Sequence, residues 1–321
     1  MPTFTRRSAA LALALSAAVG SLPVRAAEQV RIIMPFAAGG ASDVLARMVA
    51  ERMQRSTGNT VVVENIVGAN GNIGAAAAAR AAADGRTLLI TSEAYTTVNP
   101  LLFKDSLGYT PADLEPLSIL AIQPAVLTVK AGSPIKNYAD FIQKARTSGV
   151  TYSSAGVGAT SHLATQYLAS LVGGLKLTHV PYKGGAPAIN AVLAGDVDAG
   201  FIVSGNVIPH LTAGKLSALA IASGKRLAQM PNVPTVEELE KREFTVENAV
   251  VLLVPSRTPQ DVKDRIAAES RKAVDTPEVG AYLDKNGYLK VNSSGAEAQR
   301  WLSSEKKRWT ELITVKNIAR E

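Results

Sequence analysis

Apolar and polar positions follow two rhythms that take turns along the chain. Short apolar runs of strand length are followed by stretches with apolar residues three and four apart. "VRIIMPF" precedes a predicted helix over 41–56, and "TVVVEN" precedes one over 71–83. "TLLITS" leads into a stretch, "SEAYTTVNP", that reads as loop-rich, and "LSILAIQPAVLTVKA" is strand-like again. Then come helix "NYADFIQKARTS", strand "VTYSSA", helix "TSHLATQYLASLVG", strand "LTHVPY" and helix "GAPAINAVLAGD". Strand "VDAGFIV", short helix "GNVIPHLTAGK" and strand "LSALAIAS" complete the alternation. Strand–helix alternation of this kind predicts an α/β protein, with mainly parallel sheets flanked by helices.

The length of 321 residues fits two such units better than one. "QPAVLTVKAG" and "ENAVVLLVPSRTP" are β-rich runs beside prolines, and they read as two crossover segments between lobes. The expected division is lobe 1 from 27–124 plus 250–321, and lobe 2 from 125–249. In the tail, Thr258 and Pro259 form a helix start. Trp301, Leu302, Trp309 and Leu312 recur at helical spacing as core positions.

Composition narrows the setting. Residues 1–26 read as an export signal: Arg6 and Arg7, the apolar "SAALALALSAAVG", then small residues at Val24-Arg25-Ala26. The Arg6-Arg7 pair raises the twin-arginine route. Ser8-Ala9-Ala10 lacks that signal's bulky residues, while Arg25 near the cleavage site is unusual for the general secretory route, so both routes stay open. Without this segment the chain has 31 basic and 27 acidic residues, a net of +4. That favours anionic solutes and argues against nucleic acid, as does the 5% aromatic content. There is no cysteine, hence no disulfide and no lipid-anchor cysteine, and His162, His179 and His210 lack zinc spacing. No metal and no cofactor is expected. The reading is a periplasmic, monomeric protein held together by its core.

Two glycine loops carry the candidate chemistry. "PFAAGGASD" and "SSAGVGATS" each follow a strand and open a helix. The first N–H groups of a helix lack intrahelical partners, so such loops favour anions. The second loop resembles a dinucleotide fingerprint. However, Ser161 stands at its third small position, and the acidic residue expected about twenty positions on is missing from "HVPYKGGAPA". Nor does it end in Gly-Lys-Ser/Thr. A matched pair of loops, one per lobe, suits a small carboxylate instead. Either loop alone also fits an ordinary βα turn. Asn70, Asn72, Ser92 and Glu93 lie at the same strand edge; Asn70 and Asn72 suit donation to a ligand, and suit capping of the next helix better. Tyr182 and Lys183 lie in a further loop, where Lys183 either pairs with a carboxylate or stays at the surface.

Catalytic sets do not assemble. There is no nucleophile elbow and no HExxH. Ser161 and His162 are neighbours whose side chains diverge on a helix. A secreted α/β enzyme acting on a small anion, and a ligand-sensing partner of a sensor kinase, remain the alternatives to a transport receptor.

"PFAAGGASDVLAR", "VENIVGANGNIGA", "YSSAGVGATSHLA", "HVPYKGGAPAINAVLAGDVDAGF", "AGKLSALAIASGKR", "PNVPTVEEL" and "SSEKKRW" follow one another in the order seen in the Bug family. These are periplasmic receptors of tripartite tricarboxylate transporters. The resemblance covers 28–320. It implies a two-lobed periplasmic-binding-protein fold of the second type, closing on a mono-, di- or tricarboxylate for membrane permease subunits. It implies ligand contacts from Phe36, Ala38, Gly39, Gly40, Ala41, Ser42 and Asp43, with Asp43 orienting its loop. Across the cleft it implies Ser153, Ser154, Gly156, Gly158, Thr160, Ser161 and His162. Asn70, Ser92, Tyr182 and Phe201 complete the expected ligand-binding set. Three departures from the family pattern stand out. Ile202 follows Phe201 where an acidic residue is frequent; Asn248 and Val250 replace an aromatic; Ile66-Val67-Gly68 replaces Arg-Pro-Gly. They imply a more apolar far end of the pocket.

Overall fold

The computed structural model describes residues 29–315. The expected export signal lies outside the described residues. Two lobes are built from mixed sheets flanked by helices. The first begins with β1 (Gln29–Met34), α1 (Ala41–Thr57), β2 (Thr60–Asn65), α2 (Asn72–Ala79) and β3 (Thr87–Ser92). β1 pairs in parallel with β2 and β3. Successive strand residues point to opposite faces. Ile32 and Met34 of β1 therefore pack with Leu45 and Val49 of α1, while Ile33 packs with Ala75 and Ala78 of α2. α1 stops at Gly58, which takes the left-handed conformation at φ 73° that few other residues accept.

The "SEAYTTVNP" stretch forms two short helices rather than a loop: α3 (Ala94–Thr97) and α4 (Asn99–Leu102), the latter with Pro100 in its first turn. Proline is tolerated there because first-turn N–H groups have no intrahelical partner. β4 (Leu114–Lys130) follows. Its first part, through Pro124, pairs antiparallel with β9 (Glu247–Pro255), and from Ala125 onward it pairs with β7 (Ala199–Val203) and β8 (Leu216–Ala222). One strand thus belongs to both sheets and changes partner at a proline.

The second lobe adds α5 (Tyr138–Thr147), β5 (Val150–Ser154), α6 (Thr160–Val172), β6 (Leu177–Pro181), α7 (Gly185–Ala194) and α8 (Ser204–Thr212). β5 is parallel to β6 and β7. The chain returns through α9 (Val236–Glu240) to β9. Val246 N–H donates to Ala222 and Val246 O accepts from Ala125, so the return lies beside the partner switch of β4. α10 (Gln260–Val274), α11 (Pro277–Lys285), β10 (Leu289–Lys290) and α12 (Gly295–Val315) close the fold. The helical-spacing residues of the tail behave as core: Leu302 and Trp309 are buried.

Candidate functional site

The carboxyl ends of β1, β3, β5 and β7 all lead to one chamber between the lobes. It has a volume of about 70 Å³ and is lined by residues from both lobes. Helices α1, α6 and α7 begin at its wall. Their first intrahelical bonds are Val44 N to Gly40 O in α1, Leu163 N to Ala159 O in α6, and Ala188 N to Gly184 O in α7. The N–H groups ahead of these have no intrahelical carbonyl. Each helix start carries roughly half a positive charge. Three together offset one carboxylate without any cationic side chain. Among the described residues lining the chamber, the only charged one is Asp43.

Asp43 is turned away from that role. Its carboxylate accepts from Gly39 N at 2.9 Å, from Arg47 Nε at 3.0 Å and from Asn65 Nδ2 at 2.8 Å. Burial alone would raise its pKa, but these donors outweigh burial and hold the group below the usual carboxylate range. Asp43 therefore stays charged, neutralised by Arg47, and fixes the first glycine loop. The second loop is fixed by Ser161, whose Oγ accepts from Ala155 N at 2.8 Å.

Amide side chains complete the polar lining. Asn206 Oδ1 accepts from Ala41 N at 2.7 Å, and Thr160 Oγ1 lies 3.4 Å from Asn248 Oδ1. Asn70 holds a left-handed backbone at φ 50°. Its Nδ2 donates to Asn99 Oδ1 at 2.8 Å, and Asn99 Nδ2 in turn donates to Asn70 O and Asn72 Oδ1. Opposite these, Ala188, Ile202 and Val203 form an apolar wall.

Comparison with known proteins places this geometry. Residues 45–318 match the family model described as tripartite tricarboxylate transporter family receptor. The chain belongs to this family. Protein BugT of Bordetella pertussis is 31% identical over 316 residues, covering 96% of this chain and 97% of that protein. A solved R. palustris protein with adipate is 28% identical with a TM-score of 0.86, covering 92% of this chain and 99% of that one. MatC from Rhodopseudomonas palustris, solved with bound malate, is 28% identical with a TM-score of 0.84, covering 91% and 99%. The chain is a periplasmic receptor of the two-lobed kind.

Within the receptor, Phe36, Gly40, Ala41, Ser42, Asp43, Asn70, Ser92, Thr160 and Ser161 line the chamber. Ala38 and Gly39 are exposed on the outer side of their loop. Gly156 and Tyr182 line a neighbouring outer chamber. Gly158 lies beneath the loop, where an added Cβ would stand 2.9 Å from Leu102 and 3.2 Å from Asn70 Nδ2. Ser153, Ser154 and His162 are fully buried behind the second loop. His162 Nδ1 accepts from Gly158 N at 3.1 Å, and its ring stacks on His179. Ser154 Oγ lies 2.6 Å from His179 Nε2, a serine–histidine contact sealed from the chamber. Phe201 is buried against Phe244, and its neighbour Ile202 takes the place at the wall.

Asn206, Gly185, Ala188 and Val203 were not among the residues expected from sequence. A signal existed for Asn206: "VSGN" follows a strand and opens a helix, like the two glycine loops. Behind the chamber sits Glu93. Burial pushes its carboxyl up to about 8, and Oε2 accepts from Ala249 N at 2.8 Å. It thereby ties the residue after Ser92 to the residue after Asn248, both of which line the chamber. Among the described residues there is no group of side chains suited to hold a metal ion.

Proposed function

We propose that this receptor captures a small organic carboxylate by closing its lobes around it, and delivers it to the membrane permease subunits of a tripartite transporter. The observation that carries this is the meeting of the α1, α6 and α7 N-termini, from both lobes, on a chamber with no cationic side chain among its described lining residues. A carboxylate between them bonds to both lobes at once. It therefore favours the closed form through contacts the open form lacks. The residues proposed to contact it are the Gly40–Asp43 loop and Thr160–Ser161, with Asn70, Ser92, Asn206 and Asn248 around them. The proposed lobes are 27–124 plus 250–321 and 125–249; the change of partner of β4 at Pro124–Ala125 supports the first of these boundaries. The receptor acts as a monomer. Relatives solved with adipate and with malate support a carboxylate as the class of ligand.

Native mass spectrometry of the purified receptor, followed by titration calorimetry of ligand-stripped protein across a carboxylate panel, tests the proposal. A co-purified or titrated organic anion binding one to one is expected. A folded, ligand-stripped protein that binds no small organic anion contradicts it.

A further inference from the structure

The inner chamber does not stand alone. A second chamber of about 300 Å³ adjoins it between the same two lobes. Phe36, Asn70 and Ala155 line both, forming a waist between them. The outer chamber's walls are apolar and aromatic: Phe36 and Phe103 from the first lobe, Val157 and Tyr182 from the second. Its one charged lining residue among the described residues is Lys183, which is exposed at the rim.

The sizes separate the two roles. A dry cavity of about 150 Å³ accommodates benzene. The inner chamber, at about 70 Å³, has room for a carboxylate and little more. The outer one accepts a ring or a branched chain. An aromatic body there meets three aromatic side chains, a favourable environment for an uncharged ring. A second carboxylate there would meet only the exposed Lys183, which is screened by solvent.

We propose that the ligand is a carboxylate bearing an apolar body of about aromatic size, with the body seated in the outer chamber. This rests on the carboxylate-receptor reading and names the class of ligand within it. The outer chamber then sets specificity, while the helix N-termini hold the shared carboxylate.

Calorimetry with acetate, butyrate, phenylacetate and adipate tests it, on wild-type protein and on Val157→Trp, Phe103→Ala and Lys183→Gln. Phenylacetate is expected to bind on the order of tenfold or more tighter than acetate. Val157→Trp, which fills the chamber, removes that advantage, read as the ratio of phenylacetate to acetate affinity within each protein; Phe103→Ala reduces it. If Val157→Trp does not fold, Phe103→Ala carries the same test. Phenylacetate and acetate binding alike overturns the proposal and leaves the receptor reading standing. Adipate binding tighter than phenylacetate, and weakening in Lys183→Gln, overturns it in favour of a second charge. Failure of every anion to bind overturns both.

Discussion

Asn206 of the second lobe accepts the backbone N–H of Ala41 of the first at 2.7 Å. Ala41 is the first residue of α1, so its N–H is one of the donors that a helix leaves unpaired. Lobe contact is thus made at the proposed anion site. Asn206→Ala removes the acceptor and should disfavour the closed form by about 1 kcal/mol. Ligand affinity should fall about fivefold, with little change in melting temperature. Calorimetry measures the first. Small-angle scattering should show a more open ligand-free molecule.

Asp43 gives a second prediction. Four donor contacts from Gly39, Arg47 and Asn65 converge on a nearly fully buried carboxylate. Asp43→Ala should cost about 1–3 kcal/mol of stability and weaken ligand binding, because Gly39 loses its acceptor. The pKa of Asp43 is lowered on folding. Its stabilisation is therefore complete above the ordinary value near 3.8 and is lost as pH falls through the lower folded value. Urea unfolding of both proteins between pH 3 and 7 measures the difference, which should shrink at the acid end.

Glu93 titrates with the opposite sign. The unfolded chain releases this proton near 4.5, whereas the folded protein keeps it to about 8. The folded state therefore binds more protons between these values, and stability falls as pH rises across the window. Glu305 adds to the upward shift and Arg308 opposes it. Glu93→Gln keeps an acceptor for Ala249 N–H and removes the titration. Between pH 5 and 8.5 the wild-type melting temperature should drop relative to Glu93→Gln. Parallel curves would show that Glu93 does not titrate there.

Gly158 adopts φ +79° with Asn70 and Leu102 close by. Gly158→Ala should cost about 1 kcal/mol or more through backbone strain. It should also push Asn70 out of its bond to Asn99 and lower ligand affinity. Differential scanning fluorimetry and calorimetry read the two effects separately.

Much of this arrangement was legible in the sequence, for local reasons. "PFAAGGASD" and "SSAGVGATS" announce strand, turn and helix start within nine residues each, and both loops reach the chamber. Phe201 and Ile202 show where local reading stops. Adjacent strand residues face opposite sides, and only the packing of Phe201 on Phe244 decides which side is the chamber. His162 follows Ser161 in sequence, but the helix turns it inward onto His179. Asn206 lies 165 positions from Ala41. No periodicity or spacing links two residues that far apart. The short helices α3 and α4 were also hidden, since "SEAYTTVNP" has turn residues and too few positions to show a helical stripe.

The proposed function requires that helix N-termini hold a carboxylate with no cationic side chain among the described lining residues. Titration calorimetry of ligand-stripped receptor with matched pairs tests it most directly: butyrate against butyramide, phenylacetate against phenylacetamide, adipate against adipamide. Carboxylates should bind, and their amides should bind on the order of a hundredfold more weakly. Amides binding as tightly as their carboxylates would contradict it.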